Sequence, residues 1–322
     1  MKAVVVEEVG GPEQLKVVEL PRPQPGSTDV LVRVAASGVN FIDVYFRNGL
    51  YKAPAPVALG SEAAGIVEAV GSDVTTLKAG DRVCYAMQRG SYAEYVCVPA
   101  AQVVAVPDGV SLEQAAAVLL QGMTAHYLTT STFPLKPGDT CLVHAAAGGT
   151  GALTVQMARA RGARVIGTVS TPAKAAIAME AGAEAVINYV EEDFAIEARR
   201  LTGGRGVDVV YDGVGRTTFE KSLDSLRLRG MLVLFGAASG PVPPIDPAIL
   251  NTKGSLFLTR PGLAHHLSGP GELAWRSREV LEMVASGALT VRIDATFPLE
   301  RVADAHRVLE SRGTTGKLLI TP

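Results

Sequence analysis

Cysteine is scarce. Cys84, Cys97 and Cys141 have no close pairing and are odd in number, which argues against a disulfide framework. Cys141 lies inside an apolar run and is expected to be buried and inert. No apolar stretch approaches the roughly 20 residues needed to cross a bilayer, so a membrane partner is not expected. The opening residues, Met1 to Glu8, meet acids before a secretory core could form, which argues against a secretory leader. Charge of one sign is also lacking. A net charge of −2 gives no basic footprint for nucleic acid and no strong steering field. Repeats, low-complexity tracts and a long polar tail are absent. Together these absences predict a soluble protein in a reducing, cytoplasmic setting.

What is present is an ordinary globular balance, 48% hydrophobic and 19% charged, in a chain long enough for two domains. The most informative segment runs from Val143 to Gly151, Val-His-Ala-Ala-Ala-Gly-Gly-Thr-Gly. It follows the apolar run Thr140-Cys141-Leu142-Val143 and precedes the helical pattern that begins at Ala152. Strand, small-residue turn and helix is the setting in which a chain binds a dinucleotide. Small residues admit the pyrophosphate, and the unpaired N–H groups of the helix start face it. The usual Gly-x-Gly-x-x-Gly pattern reads here as Ala146-x-Gly148-x-x-Gly151, so its first turn must tolerate a methyl group. Ala147, Gly148, Gly149 and Thr150 are the candidate phosphate contacts.

A second buried strand, Gly162–Val169, follows about 20 residues on. Sites that prefer NADH carry Asp or Glu at the end of that strand. This chain has none there. Ser170, Thr171 and Lys174 offer hydroxyls and a cation instead, a set suited to a 2′-phosphate and hence to NADPH. Ser170 also reads as a helix cap, and Pro172 as a first helical residue. Further strands are expected at 185–189, 208–212, 230–236 and 254–259, with helices at 172–182, 191–202 and 216–228 between them. Short unalternating apolar strands separated by helices imply a doubly wound, six-stranded parallel sheet. Tyr189, Gly213, Phe235 and Ser239 follow strand ends, where ligands of such sheets bind, and are candidate cofactor contacts. Strand 254–259 would be an apolar sheet edge whose pairing across a two-fold axis gives a homodimer, and charges at Leu256 and Leu258 are expected to yield monomers.

Residues 1–110 have another texture, short β-like runs between Gly, Pro and Asp turns, which predicts an antiparallel barrel-like module. Ala115–Leu120 opens a connecting helix, and the segment after Pro261 reads as two helices and a final strand, Gly316–Ile320, returning to the first module. The predicted division is 1–121 with 264–322 for one domain and 122–263 for the other.

The layout resembles the medium-chain dehydrogenase/reductase superfamily along the whole chain. The resemblance rests on Gly38-Val39-Asn40-Phe41-Ile42-Asp43, Gly49-Leu50-Tyr51, Gly60-Ser61-Glu62-Ala63-Ala64-Gly65, Gly80-Asp81-Arg82-Val83, His144–Gly149, Ile187-Asn188-Tyr189 and Leu258-Thr259-Arg260-Pro261. It is strongest toward the zinc-free branch, the NADPH:quinone oxidoreductases related to ζ-crystallin. Thr150 departs from the Val usual there. The resemblance implies an α/β chain with a GroES-like catalytic domain and a Rossmann domain. The zinc alcohol dehydrogenases have Cys where this chain has Asn40, His where it has Ser61, and a four-cysteine lobe for which nothing follows Val83. Zinc needs three or four thiolate, imidazole or carboxylate ligands, so no metal is expected. The five histidines offer no substitute set; His126 and His306 stand alone in sequence.

Without a Lewis acid to hold an alkoxide, an acceptor that takes hydride or electrons readily is expected, a quinone or activated enone. Carried over by match, Asn40 lies by the nicotinamide ribose or the acceptor oxygen, and Tyr45 and Tyr51 line the substrate cleft. Thr124 meets the nicotinamide, Lys174 and Tyr189 the 2′-phosphate, and Arg260 and Lys317 face the cofactor. Two other readings stay open: an enone or enoyl-thioester reductase, and a non-catalytic NADPH-binding protein, for which an RNA-binding role finds no support in the charge balance.

Overall fold

The computed structural model describes all 322 residues, which divide into two compact units. Unit 1 comprises Met1–Leu120 and Leu273–Pro322, and unit 2 comprises Gln121–Glu272. The second boundary falls later than the expected residue 264. His266 stacks flat on Tyr127, rings 4.2 Å apart, and this holds the following segment to unit 2.

Unit 1 begins with β1 (Lys2–Val6), β2 (Lys16–Glu19), β3 (Asp29–Gly38), α1 (Phe41–Arg47) and β4 (Val57–Ala58). It continues through β5 (Glu62–Val70), β6 (Arg82–Ala86), β7 (Tyr95–Pro99) and β8 (Val103–Ala105) to α2 (Leu112–Tyr127), which runs on into unit 2. Unit 2 holds β9 (Thr140–Val143), α3 (Gly149–Ala160), β10 (Arg164–Val169), α4 (Pro172–Glu180), β11 (Ala185–Asn188) and α5 (Phe194–Leu201). Then come β12 (Val207–Asp212), α6 (Phe219–Asp224), β13 (Leu226–Leu234), α7 (Ala248–Thr252) and β14 (Phe257–Thr259). The tail supplies α8 (Glu272–Ala285), β15 (Ile293–Pro298), α9 (Val302–Glu310) and β16 (Lys317–Thr321).

Unit 2 is the expected parallel sheet, in the order β11-β10-β9-β12-β13-β14. The order reverses at β9, so the crevice beside the carboxyl ends of β9 and β12 is the place for a ligand. Every residue of β9 and β12 is buried, which is why neither alternates. Leu142, Ile166, Val210, Leu232 and Leu256 share one core with Phe194 and Phe219.

In unit 1, β3 is the organising strand, pairing antiparallel with β5, β7 and β16. The return of the tail is thus a strand pairing, β16 on β3, with β15 added parallel outside it. Val30, Val32, Val34, Val67, Val83 and Tyr85 form the core of this sheet. No helix is long and apolar enough to cross a membrane.

The edge strand β14 is shorter than expected, and Leu256 before it belongs to the unit 2 core rather than the edge. A charge at Leu256 would therefore break the fold instead of reporting on association. Phe257 on the edge strand is 56% accessible, and Leu228 at the start of the neighbouring strand β13 is 73% accessible.

Candidate cofactor and active site

In unit 2, the candidate cofactor residues gather where β9 ends. Ala145 adopts a left-handed backbone (φ 51°), and Gly148 is the extended N-cap of α3 (φ −81°, ψ 168°). The glycines are not equivalent. A Cβ at Gly151 would collide with the Ala145 carbonyl oxygen, so Gly151 serves helix-on-strand packing. A Cβ at Gly149 would collide with Gln121 Oε1, so Gly149 makes room for that side chain. A Cβ at Gly148 meets only the Ala145 oxygen, at 3.2 Å, with nothing else near. Gly148 is therefore the position that leaves open space before the N–H groups of α3, the space an anion needs. Ala147 is buried beside it and Thr150 lies in the first turn.

At the end of β10, Thr171 and not Ser170 caps α4, accepting from Lys174 N at 3.3 Å. The cap thus does not consume the Ser170 hydroxyl. Tyr189 N donates to Val169 O at 3.0 Å, which sets Tyr189 beside the end of β10. Ser170, Lys174 and Tyr189 are thereby gathered at one strand end with no carboxylate among them.

A buried polar chain ties three strand ends together. Asp212 accepts from Val214 N (2.8 Å) and Gly215 N (3.0 Å) through Oδ1, and from Thr218 and Ser222 hydroxyls through Oδ2. Ser222, having given its hydrogen to Asp212, accepts from His144 Nε2 at 2.9 Å. Thr168 donates to the other ring nitrogen at 2.8 Å. Burial holds His144 below the usual imidazole range, against the pull of Asp212. It is a neutral brace. Gly213 and Gly236 lie in mutual contact beside Phe235, and Ser239 donates to Val214 O while accepting from Thr217 N, cross-linking the two loops. Arg260 is pinned to Leu234 O at 3.1 Å, at the end of β13, and Thr124 is buried in α2.

In unit 1, candidate residues gather around α1. Tyr45 sits on this helix, Tyr51 N bonds Tyr45 O, and the two rings meet edge-on at 5.2 Å. Asn40, just before α1, donates to Glu62 Oε1 at 2.7 Å and accepts from Lys317 Nζ at 2.7 Å. Lys317 therefore differs from expectation. It is 1% exposed and ion-paired with Glu62, so its charge is committed within unit 1 and is not presented to a phosphate. Burial lowers the affinity of that amine for its proton, and Glu62 opposes the shift.

Sequence reasoning missed a second cluster. Asp43 is fully buried and accepts from Ser61 Oγ (2.6 Å), Asn40 N (3.0 Å) and Tyr92 Oη (3.1 Å). Tyr92 also meets His306 Nε2 at 3.2 Å, and Arg47 donates to His306 Nδ1 at 3.0 Å before clamping Glu310 with two bonds of 2.8 Å. His306, alone in sequence, is thus not alone in space. Because a guanidinium only donates, Nδ1 accepts and Nε2 carries the hydrogen. Burial, with Arg47 nearby, pushes the His306 pKa down to about 3, and burial raises Asp43 to about 6 despite its three donors.

These two shifts act oppositely on stability. Below pH 6.5 the unfolded chain protonates His306 more readily than the native one, so stability falls as pH drops toward 3. Asp43 holds its proton more tightly when folded, so it restores stability as pH drops from 6 toward 3.8. The melting-temperature gap between wild type and His306→Gln should narrow between pH 7 and pH 4. Parallel melting curves would show that His306 is not held neutral.

No group of three or more His, Cys, Asp or Glu is placed to hold a metal. Asn40 donates to Glu62 and Ser61 to Asp43.

Two family models match. Residues 26–108 match the alcohol dehydrogenase GroES-like domain, and residues 149–262 match the zinc-binding dehydrogenase family. The chain is 46% identical over 317 residues to quinone oxidoreductase 1 of Escherichia coli, 97% of each chain being covered. It is 43% identical to a 2-haloacrylate reductase of a Burkholderia species, over 99% of this chain and 98% of that one. A mycobacterial protein solved in complex with NADPH superposes with a TM-score of 0.97 at 50% identity, each chain covered completely.

Proposed function

Because the chain belongs to the quinone oxidoreductase family of the medium-chain dehydrogenases/reductases, we propose that it reduces quinone-type acceptors with NADPH. The observation that carries the cofactor choice is the end of β10. Ser170, Lys174 and Tyr189 stand there, where an acid would be needed to hold an unphosphorylated ribose. NADPH supplies a hydride to the acceptor. The protein's own part is to bind and orient. The first turn of α3 and the space before Gly148 receive the pyrophosphate, and Lys174 and Ser170 the 2′-phosphate. Tyr45 and Tyr51, whose rings meet edge-on, give the flat acceptor an aromatic wall, and a tyrosine hydroxyl or a water delivers the proton that completes the hydroquinone. With a quinone and NADPH, turnover should be at least about tenfold more efficient than with NADH, the worth of one charge-assisted contact. Equal efficiencies would contradict the assignment of the 2′-phosphate site.

A second reading, reduction of an activated carbon–carbon double bond, is favoured by the likeness to the 2-haloacrylate reductase. The chemistry asked of the protein is the same, since that acceptor also takes hydride without a metal.

The working form is a homodimer paired through β14, and the setting is the cytoplasm, which suits three free cysteines. Phe257→Asp with Leu228→Asp should convert the dimer to a monomer in analytical ultracentrifugation with the melting temperature preserved. An unchanged sedimentation coefficient would place the interface elsewhere.

A further inference from the structure

Arg89 has so far no part in the reaction. It stands on the loop after β6, and that loop is tied down at both ends. Met87 N donates to Ser61 O at 2.7 Å, and Gly90 N donates to Gly60 O at 3.0 Å. Met87 (φ 67°) and Gly90 (φ 99°) both adopt left-handed backbone. A methionine in that conformation costs free energy and persists only where its surroundings over-determine it. The loop is thus a fixed mount for the side chain it carries.

That mount sets the Arg89 guanidinium over the Phe46 ring, 5.0 Å from its centre. Phe46 meets Tyr51 edge-on at 5.7 Å, and Tyr51 meets Tyr45 at 5.2 Å. Arg89 therefore ends the same run of rings that contains the acceptor wall, and all of these residues belong to unit 1. Its side chain is exposed and makes no hydrogen bond or ion pair. A contact with a ring face consumes none of the five N–H donors of a guanidinium. Arg47, on the same helix as Phe46, is the contrast. It is 2% exposed, and its donors are committed to Gly10 O, His306 and Glu310. Arg89 is left as an uncommitted planar cation beside apolar rings.

A guanidinium fork matches a carboxylate or a sulfonate, two oxygens meeting two N–H groups, whereas a neutral carbonyl takes one weaker bond. We propose that Arg89 is a specificity-determining residue that binds an anionic substituent of the acceptor, a carboxylate or sulfonate, while the acceptor ring lies against Tyr45 and Tyr51. The preferred acceptors are then quinones that carry a negative charge at their periphery. The charged substituent is a handle and takes no part in the hydride transfer. The proposal rests on the quinone reading above and names the class of acceptor within it.

The test is competition at the acceptor site of the full chain, read as inhibition of NADPH-dependent turnover of 9,10-phenanthrenequinone. Anthraquinone-2-sulfonate and 2-(hydroxymethyl)anthraquinone share one ring system and differ in charge. Wild type should be inhibited by the sulfonate at an about fivefold lower concentration, the worth of one charge pair at an exposed site. That preference should shrink as salt is raised. Arg89→Gln should remove both the preference and its salt dependence, and Arg89→Glu should reverse the preference. A preference that survives in Arg89→Gln would overturn the proposal, as would wild-type protein that does not distinguish the two compounds. A rise in KM for NADPH in Arg89→Gln would assign the cation to the cofactor and overturn it equally. Wild-type protein that does not turn over 9,10-phenanthrenequinone would instead overturn the quinone reading, and the proposal with it.

Discussion

Gly148→Val should abolish NADPH binding while leaving the protein folded. The backbone at Gly148 is extended, a conformation any residue adopts, and the only atom near a Cβ there is the Ala145 oxygen at 3.2 Å. A valine would press on that oxygen by only a few tenths of an ångström, far less than at Gly151, and fill the space before the first turn of α3. Losing the pyrophosphate contacts there should raise Kd by at least about a hundredfold, a cost near 3 kcal/mol. Gly151→Ala is the matched control with the opposite outcome. Its methyl would collide with backbone of Ala145, which cannot rotate away, so the melting temperature should drop by several degrees, about 1–3 kcal/mol of overpacking. Calorimetric titration and thermal melts of the two variants separate these effects. A Gly148→Val protein that binds NADPH like wild type would mean that the phosphates lie elsewhere.

Lys174→Ala should raise KM for NADPH about ten- to a hundredfold and leave KM for NADH nearly unchanged. A cation on a phosphate oxygen contributes about 1.5–3 kcal/mol, and only NADPH offers that phosphate. Ser170→Asp should go further and reverse the preference, because a carboxylate at the end of β10 accepts from ribose hydroxyls and repels a phosphate. Steady-state kinetics with both nucleotides measure the ratio directly. Equal losses for the two nucleotides would show that the 2′-phosphate is not read at α4.

The cofactor loop of unit 2 was legible in sequence because it is local. The loop between β9 and α3 is one continuous run, and a parallel strand buried on both faces is an unbroken apolar stretch, as Thr140–Val143 shows. Element ends were less legible. The helix expected at 191–202 begins at Phe194 because Asp193 caps it, accepting from Ala195 N and Ile196 N. The helix expected at 216–228 stops at Asp224, since Leu226 starts β13 in a run whose charges, Arg227 and Arg229, do not look like a strand. The strand β15 was invisible: Ile293–Pro298 is half exposed throughout and mixes a proline, a threonine and an acid.

The polar cluster of unit 1 was hidden for a different reason. Arg47 and Glu310 are 263 residues apart, Lys317 and Asn40 are 277 apart, and only the pairing of β16 with β3 brings the tail to α1. Nothing at Ser61 or Tyr92 marks either as a donor to Asp43. Lys317 carries the same lesson. A lysine near a chain end reads as an exposed cation, and only the fold reveals the glutamate that neutralises it.

NADPH-dependent quinone reduction without a metal is tested most directly by following loss of the reduced nicotinamide with 1,4-benzoquinone, 9,10-phenanthrenequinone, an enone and crotonyl-CoA, each with and without a chelator. The quinones should be turned over at a rate that the chelator does not change. Turnover confined to the enone or the thioester, or turnover that the chelator stops, would contradict it.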